Sequence, residues 1–174
     1  MRVLKQIALF VPLVALVAVL IGLPAVAFGR DDGQNFRASL IGFNEVPSIN
    51  TEGTAHLRLT LNTDSIDFTL SYANLSAPPA AAHIHFGQAR TNGGVMVFFC
   101  GGGAQPACPN MQSATITGKI TVANMVAGAA NQGIKPPDLA SVFRAIRGGA
   151  SYANMHTSNF PSGEIRGQIA RADD

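Results

Sequence analysis

The sequence predicts a mainly β protein: an antiparallel β-sandwich or Greek-key barrel of about eight strands, with one helix in a crossover. Three observations carry this. Apolar and polar residues alternate with period two through stretch after stretch. One segment in the last third of the chain switches to a helical period. Short clusters of Gly, Pro, Asn and Asp separate these runs, as turns require.

The chain opens with Arg2 and Lys5, an apolar run from Ile7 to Leu23, and "PAVA", with Ala25 and Ala27 at small-residue cleavage positions. This is the layout of a secretory signal peptide over residues 1–27. The run is also near the lower length for a membrane span, so a retained anchor is the alternative, and the protein meets a membrane only in that case.

Strand character begins at "FRASL", which places Phe36, Ala38 and Leu40 on one face. "TAHLRLTL" sets Ala55, Leu57, Leu59 and Leu61 against His56, Arg58 and Thr60, and "SIDFTLSY" sets Ile66, Phe68, Leu70 and Tyr72 against Asp67, Thr69 and Ser71. Half-buried antiparallel strands read this way, and the Asn/Asp turn between the last two predicts a hairpin. Further strands are expected at Ala82–Phe86, Gly94–Phe99, Ala114–Thr121, Ala150–Thr157 and Glu164–Ala170. Asn92-Gly93 supplies the positive φ of a hairpin turn. In "PPDLASVFRAIRGG", Leu139, Val142, Phe143 and Ile146 fall on one helical face, with Asp138 as N-cap and Gly148 or Gly149 as stop. A weaker helical turn is expected near Ala123–Ala130.

Loss of the leader takes Arg2 and Lys5 from the 12 basic residues, leaving 10 against 10 acidic. A neutral domain with two Tyr and no Trp is a poor nucleic-acid binder, because phosphate contact needs clustered cations. Cys100 and Cys108 are the two cysteines, and they bracket a loop of Gly, Pro and small residues. In an exported chain they read as a local disulfide stapling a surface loop; the C-x-x-C spacing of a thiol metal site is missing.

Three blocks then carry a resemblance: "GFNEVPSINTEGTAHLRL", "AAHIHFGQARTNGGVMV" and "YANMHTSNFPSGEIRGQI". Together they resemble the CHRD domain, named for the repeats of chordin, with single copies in secreted bacterial proteins. The resemblance spans about Phe36 to Ile169, within a β domain drawn at 36–170. Its most specific part is the N-x-H-T step followed by P-x-G-E-I-R-G-Q. Met155 stands where the family usually has Val, and "CGGGAQPAC" looks like a local insertion. The resemblance implies an extracellular β-rich domain and little about chemistry. The function expected is a secreted, non-enzymatic role in binding an extracellular protein or a cell-envelope component.

The alternative is a metal-binding protein or simple metalloenzyme, and His83-Ile84-His85 raises it. Residues i and i+2 of a strand share a face, so two imidazoles stand about 7 Å apart at Cα, opposite the apolar Ala82, Ile84 and Phe86. The same parity turns Asn154 and His156 outward, along with Glu164, Arg166 and Gln168. His83, His85 and His156 are expected in one outward pocket, with Glu164 or water completing a Zn or Cu site. Copper–zinc superoxide dismutase also carries a His-x-His on an outward strand face. A two-metal site of that kind needs more than the four histidines present. Hydrogen bonding of the imidazoles to carbonyls is the purely structural alternative. Glu45, in "NEVP", is expected to pair with Arg166, and His56 to lie on a solvated face. No G-x-S-x-G or Ser-His-Asp arrangement is visible, so no catalytic residue is assigned. N-terminal sequencing of exported material should find a start near Phe28; Met1 on a membrane-bound product would identify the leader as an anchor.

Overall fold

A computed structural model describes residues 34–173. The expected signal peptide and cleavage point lie outside the described residues. The architecture is mainly antiparallel β, a nearly closed barrel-like sheet. Its strands in chain order are β1 (Asn35–Ile41), β2 (Thr54–Leu61), β3 (Ile66–Ala73), β4 (Pro79–Phe86), β5 (Gly94–Cys100), β6 (Ala114–Ile120), β7 (Ser151–Thr157), β8 (Ile165–Gln168) and β9 (Ala170–Arg171). The sheet order is β5-β4-β7-β8-β1-β2-β3-β6, with β9 pairing β1. Strands β5 and β6 stand at the two ends of this order and touch, so the sheet curls back on itself.

Parity sets the register where one face is wet. In β1 and β2 buried and exposed residues alternate without a break, and Phe36↔Leu59, Ala38↔Leu57 and Leu40↔Ala55 stack apolar partners across the strands. The β2–β3 hairpin continues the pattern with Leu57↔Leu70 and Leu59↔Phe68. Phe68 meets Phe99 of β5 at 4.9 Å between ring centroids, inside the curled sheet. A one-residue slip in any of these pairs would turn the leucines to water.

The helix α1 (Leu139–Arg147) lies in the crossover from β6 to β7. Asp138 caps it by accepting from Ser141 N–H at 3.0 Å, and Gly148 ends it. Leu139, Val142, Phe143, Ala145 and Ile146 are buried in the common core, so the helix lays its apolar face on the barrel interior. Arg147 reaches Gln34. The weaker turn expected near Ala123–Ala130 is present as two 3-10 turns, Val122–Asn124 and Ala127–Gln132.

The last strand differs from the expected Glu164–Ala170. Glu164 lies before it, and Ile169 interrupts it by sending its N–H to Ser151 O. The line then resumes as β9 against β1. Gly167 sits where β8 crosses β1 closely, and a Cβ there would stand 2.4 Å from Ser39 O.

Cys100 and Cys108 are joined in a disulfide. Cys100 is a core residue at the end of β5 and Cys108 packs partly against the core, so the staple is anchored more deeply than a surface loop requires. Closing so short a loop should contribute about 2.5 kcal/mol on chain-entropy grounds. Replacing both cysteines by Ala should lower unfolding free energy by roughly that amount and leave the circular dichroism spectrum unchanged. Global unfolding of the double variant at 25 °C would show that the bond holds the core itself.

Candidate metal centre

Alternation fails in β4, β7 and β8, and it fails because both faces are covered. Six of the seven residues of β7 are buried. The inner face carries Ala82, Ile84, Ala153, Met155 and Ile165 into the core. The outer face carries His83 and His85 from β4, Tyr152, Asn154 and His156 from β7, and Arg166 and Gln168 from β8. The ladders place His83 opposite Asn154, His85 opposite Tyr152, Asn154 opposite Arg166 and Tyr152 opposite Gln168.

The loop between β4 and β5 folds over this polar face. Arg166 fastens it, donating to Gln88 O at 3.3 Å, to Asn92 Oδ1 at 3.3 Å and to Thr91 O. Gln168 donates to Gly87 O at 3.1 Å and Gly149 O at 2.8 Å. Tyr152 hydroxyl accepts from Gly93 N–H at 3.2 Å. A stack runs through the layer: the Arg166 guanidinium lies 3.3 Å from the Tyr152 ring centroid, and Tyr152 lies parallel to His85 at 4.6 Å. A fixed cation over an aromatic face is favourable when partly desolvated.

Three imidazoles converge. His83 is centred 4.5 Å from His85 and 4.5 Å from His156, with Phe98 against its edge at 4.9 Å. One ring nitrogen of each lies within 4.8 Å of one from each of the others. His85 Nδ1 donates to Gly93 O at 2.8 Å and His156 Nδ1 donates to Pro161 O at 2.9 Å. A carbonyl oxygen only accepts, so the proton sits on Nδ1 and Nε2 keeps a lone pair. Those two Nε2 atoms are buried without a hydrogen-bond partner, and so is His83 Nδ1. Burial disfavours the charged imidazolium, and the rings oppose one another's charge. His83 is pushed down to about 2 and His85 to about 4, and His156 is lowered by the same burial.

Glu164 does not join them. Its carboxylate, fully sealed from solvent, accepts from Thr51 Oγ1 at 2.7 Å, Ser76 N–H at 2.8 Å, Ser76 Oγ at 2.8 Å and Thr157 Oγ1 at 2.6 Å. Burial pushes the Glu164 carboxyl up, and these donors together outweigh it and hold it below the usual range. A carboxylate so occupied is a brace between segments, and the expected fourth ligand is not supplied by it. His56 lies outside on an exposed face, as expected.

Glu45 and Arg166 are both buried, but among the described residues they form no ion pair. The guanidinium is committed to the loop and to Tyr152, and Glu45 Oε1 instead accepts from Asn154 Nδ2 at 2.5 Å. Burial raises the Glu45 carboxyl to about 7, against the pull of Arg166 and the Asn154 bond. Gly163 is required beside this pair: its φ is +129°, and a Cβ there would meet Glu45 Oε1 at 2.7 Å and Asn154 Nδ2 at 2.8 Å. A groove of about 590 Å³ lined by Phe43, Glu45, Arg90 and Arg166, among others, opens beside the layer and does not include the histidines.

Asn154 is the buried polar residue of this layer that sequence reasoning left without a role. Its place in the N-x-H-T step was the available signal, and its partner, Glu45, lies 109 residues away in the chain. The same blocks that build this layer match a family model, the CHRD domain, over residues 36–169. The chain belongs to the CHRD domain family. Membership supports a non-enzymatic domain whose specific role is open. No curated protein and no solved structure matches the chain. In this CHRD domain the residues of the terminal block P-x-G-E-I-R-G-Q have separate structural tasks. Gly163 makes room for Glu45, Glu164 braces, Arg166 and Gln168 pin the loop, and Gly167 admits β1.

The titrations oppose one another. At about pH 5.5, midway between the ordinary His and Glu values, the unfolded chain holds protons on His83 and His85 that the folded chain refuses, while folded Glu45 holds one that the unfolded chain has released. At this pH the unfolded state therefore binds about one proton more, and stability falls on acidification there by about 1.4 kcal/mol per pH unit. Chemical denaturation of the metal-free protein should show that slope, and Glu45→Gln, which removes the opposing proton, should about double it. Stability that stays flat or rises on acidification would contradict the buried neutral imidazoles.

Proposed function

We propose that this CHRD domain works outside the cytoplasm as a non-enzymatic metal-binding protein. It holds one zinc or copper ion between His83, His85 and His156, with water in the remaining position. The observation that supports this is the pair of orphaned Nε2 atoms of His85 and His156, converging with a ring nitrogen of His83. Two imidazoles are locked by backbone carbonyls into the tautomer that presents Nε2, the arrangement that metal-binding histidines use. A buried polar atom without a partner costs stability, and one shared ion would satisfy converging nitrogens together. Lowered pKa values keep the rings neutral and ready to donate lone pairs. Three nitrogen donors with an open position suit zinc or copper. For location, the support is the Cys100–Cys108 bond, which is consistent with an oxidising extracellular environment, and the leader-like residues 1–27.

Metal analysis and calorimetric titration with zinc(II) and with copper(II), each alone, test the site. One equivalent should bind and raise the melting temperature, and a His83→Ala/His85→Ala variant should lose both effects. Sequence alone places the loss of binding below about pH 6, the range of ordinary imidazole. The depressed pKa values move proton competition lower, so binding should persist at about pH 5. Failure of both ions to bind the wild-type protein would refute the reading.

A further inference from the structure

His85 and His156 each have a backbone carbonyl that fixes the ring and its proton. His83 has none. It is the most deeply buried of the three, 6 % exposed, and its Nδ1 has no partner. Directly across the β4–β7 ladder, on the same outer face, stands Asn154. Side chains of directly opposed residues in an antiparallel pair start about 5 Å apart at Cβ, within hydrogen-bonding reach of an amide and an imidazole. Asn154 is 3 % exposed, and its Oδ1 is also buried without a partner. The structure forms no hydrogen bond between these two facing orphans, yet one is a carbonyl-type acceptor and the other lies on a ring that can carry a proton, so their chemistry is complementary.

The amide is not free to turn. Its Nδ2 donates to Glu45 Oε1 at 2.5 Å, and a carboxylate gives an amide nitrogen a strong acceptor and an amide oxygen none when ionised. Glu45 therefore sets which end of Asn154 is left for His83. Gly163, whose missing side chain leaves room for this contact, keeps the two groups together.

We propose that Asn154, oriented by Glu45, is the positioning residue for His83: when an ion is held, the amide Oδ1 accepts the ring N–H that meets no acceptor in this structure, and the other ring nitrogen is left for the ion. All three ligands then share one logic, an oxygen acceptor on one nitrogen and the metal on the other. This inference rests on the metal reading above. It assigns Asn154 and Glu45 a part in binding without making either a ligand.

The test compares Asn154→Ala with the exchange variant Asn154→Asp/Glu45→Gln, in which carboxylate and amide trade places and an acceptor again faces His83. Zinc(II) and copper(II), each alone, serve as probes. Asn154→Ala should weaken binding by about 10–100-fold, the usual cost of losing an outer partner of a histidine ligand, and the exchange variant should recover most of it. Long-range nitrogen–proton NMR of the imidazoles supplies a readout that a merely structural role would not move. The zinc-loaded wild type should show a single tautomer at His83, and Asn154→Ala a mixture, with His85 and His156 unchanged. If Asn154→Ala does not fold, Glu45→Ala keeps the amide but frees its orientation and should weaken binding in the same direction. Binding within twofold of wild type in the folded variants, with an unaltered His83 signal, would overturn the positioning role and leave the metal site standing. A wild type that binds neither ion would overturn both.

Discussion

Covering a polar face obliges a protein to give every group on it a partner, and that constraint organises this domain. The outer side of β4, β7 and β8 carries histidines, Asn154, Arg166 and Gln168, and much of it is shut away from water. Hydration lost on burial has to be replaced by hydrogen bonds made inside, or the fold loses stability group by group. Arg166 meets the demand with acceptors in the overlying loop and with the face of Tyr152. Gln168 meets it for its amide nitrogen with two carbonyls, while its Oε1 has no partner. The loop is held because the face beneath needs it, and the face is buried because the loop is held.

Glu164 and Glu45 show two solutions to the same problem. Glu164 is surrounded by hydroxyls and an amide N–H from three separate stretches of chain, so the charged form is stabilised in a sealed site. It ties Thr51, Ser76 and Thr157 together near the start of β8. Glu45 has Asn154 and a more distant Arg166, and burial wins: its carboxyl is raised to about 7. Hydrogen bonds to the charged form outweigh desolvation in one case and fall short in the other.

Hydrogen-bond satisfaction is incomplete at Ser151 Oγ, Asn154 Oδ1 and Gln168 Oε1, and most densely at the histidines. Two nitrogens are spent on carbonyls and three others have none. Native structures tolerate few such atoms, and those that persist mark strain, chemistry or a missing occupant. Their convergence from two neighbouring strands, over a rigid apolar core, is what separates a site from scattered defects.

The parts of the fold that face water on one side could be read from residue order alone. Strands β1, β2 and β3 and the helix were legible because a wet face and a dry face write a period into the residues. The pairing of Cys100 with Cys108 was legible because the loop between them is short. Parity also placed His83, His85 and His156 on one side, and adjacency of β4 and β7 made that side a cluster. Tertiary structure decided the rest. Whether Glu164 would bind an ion or brace three segments depended on Thr51 and Ser76, which are 113 and 88 residues away in the chain. Arg166 was drawn away from Glu45 by loop carbonyls, and main-chain acceptors leave no mark on residue type. Periodicity records which side of a strand is apolar. It does not record what folds over the other side, and in this domain the chemistry lies there.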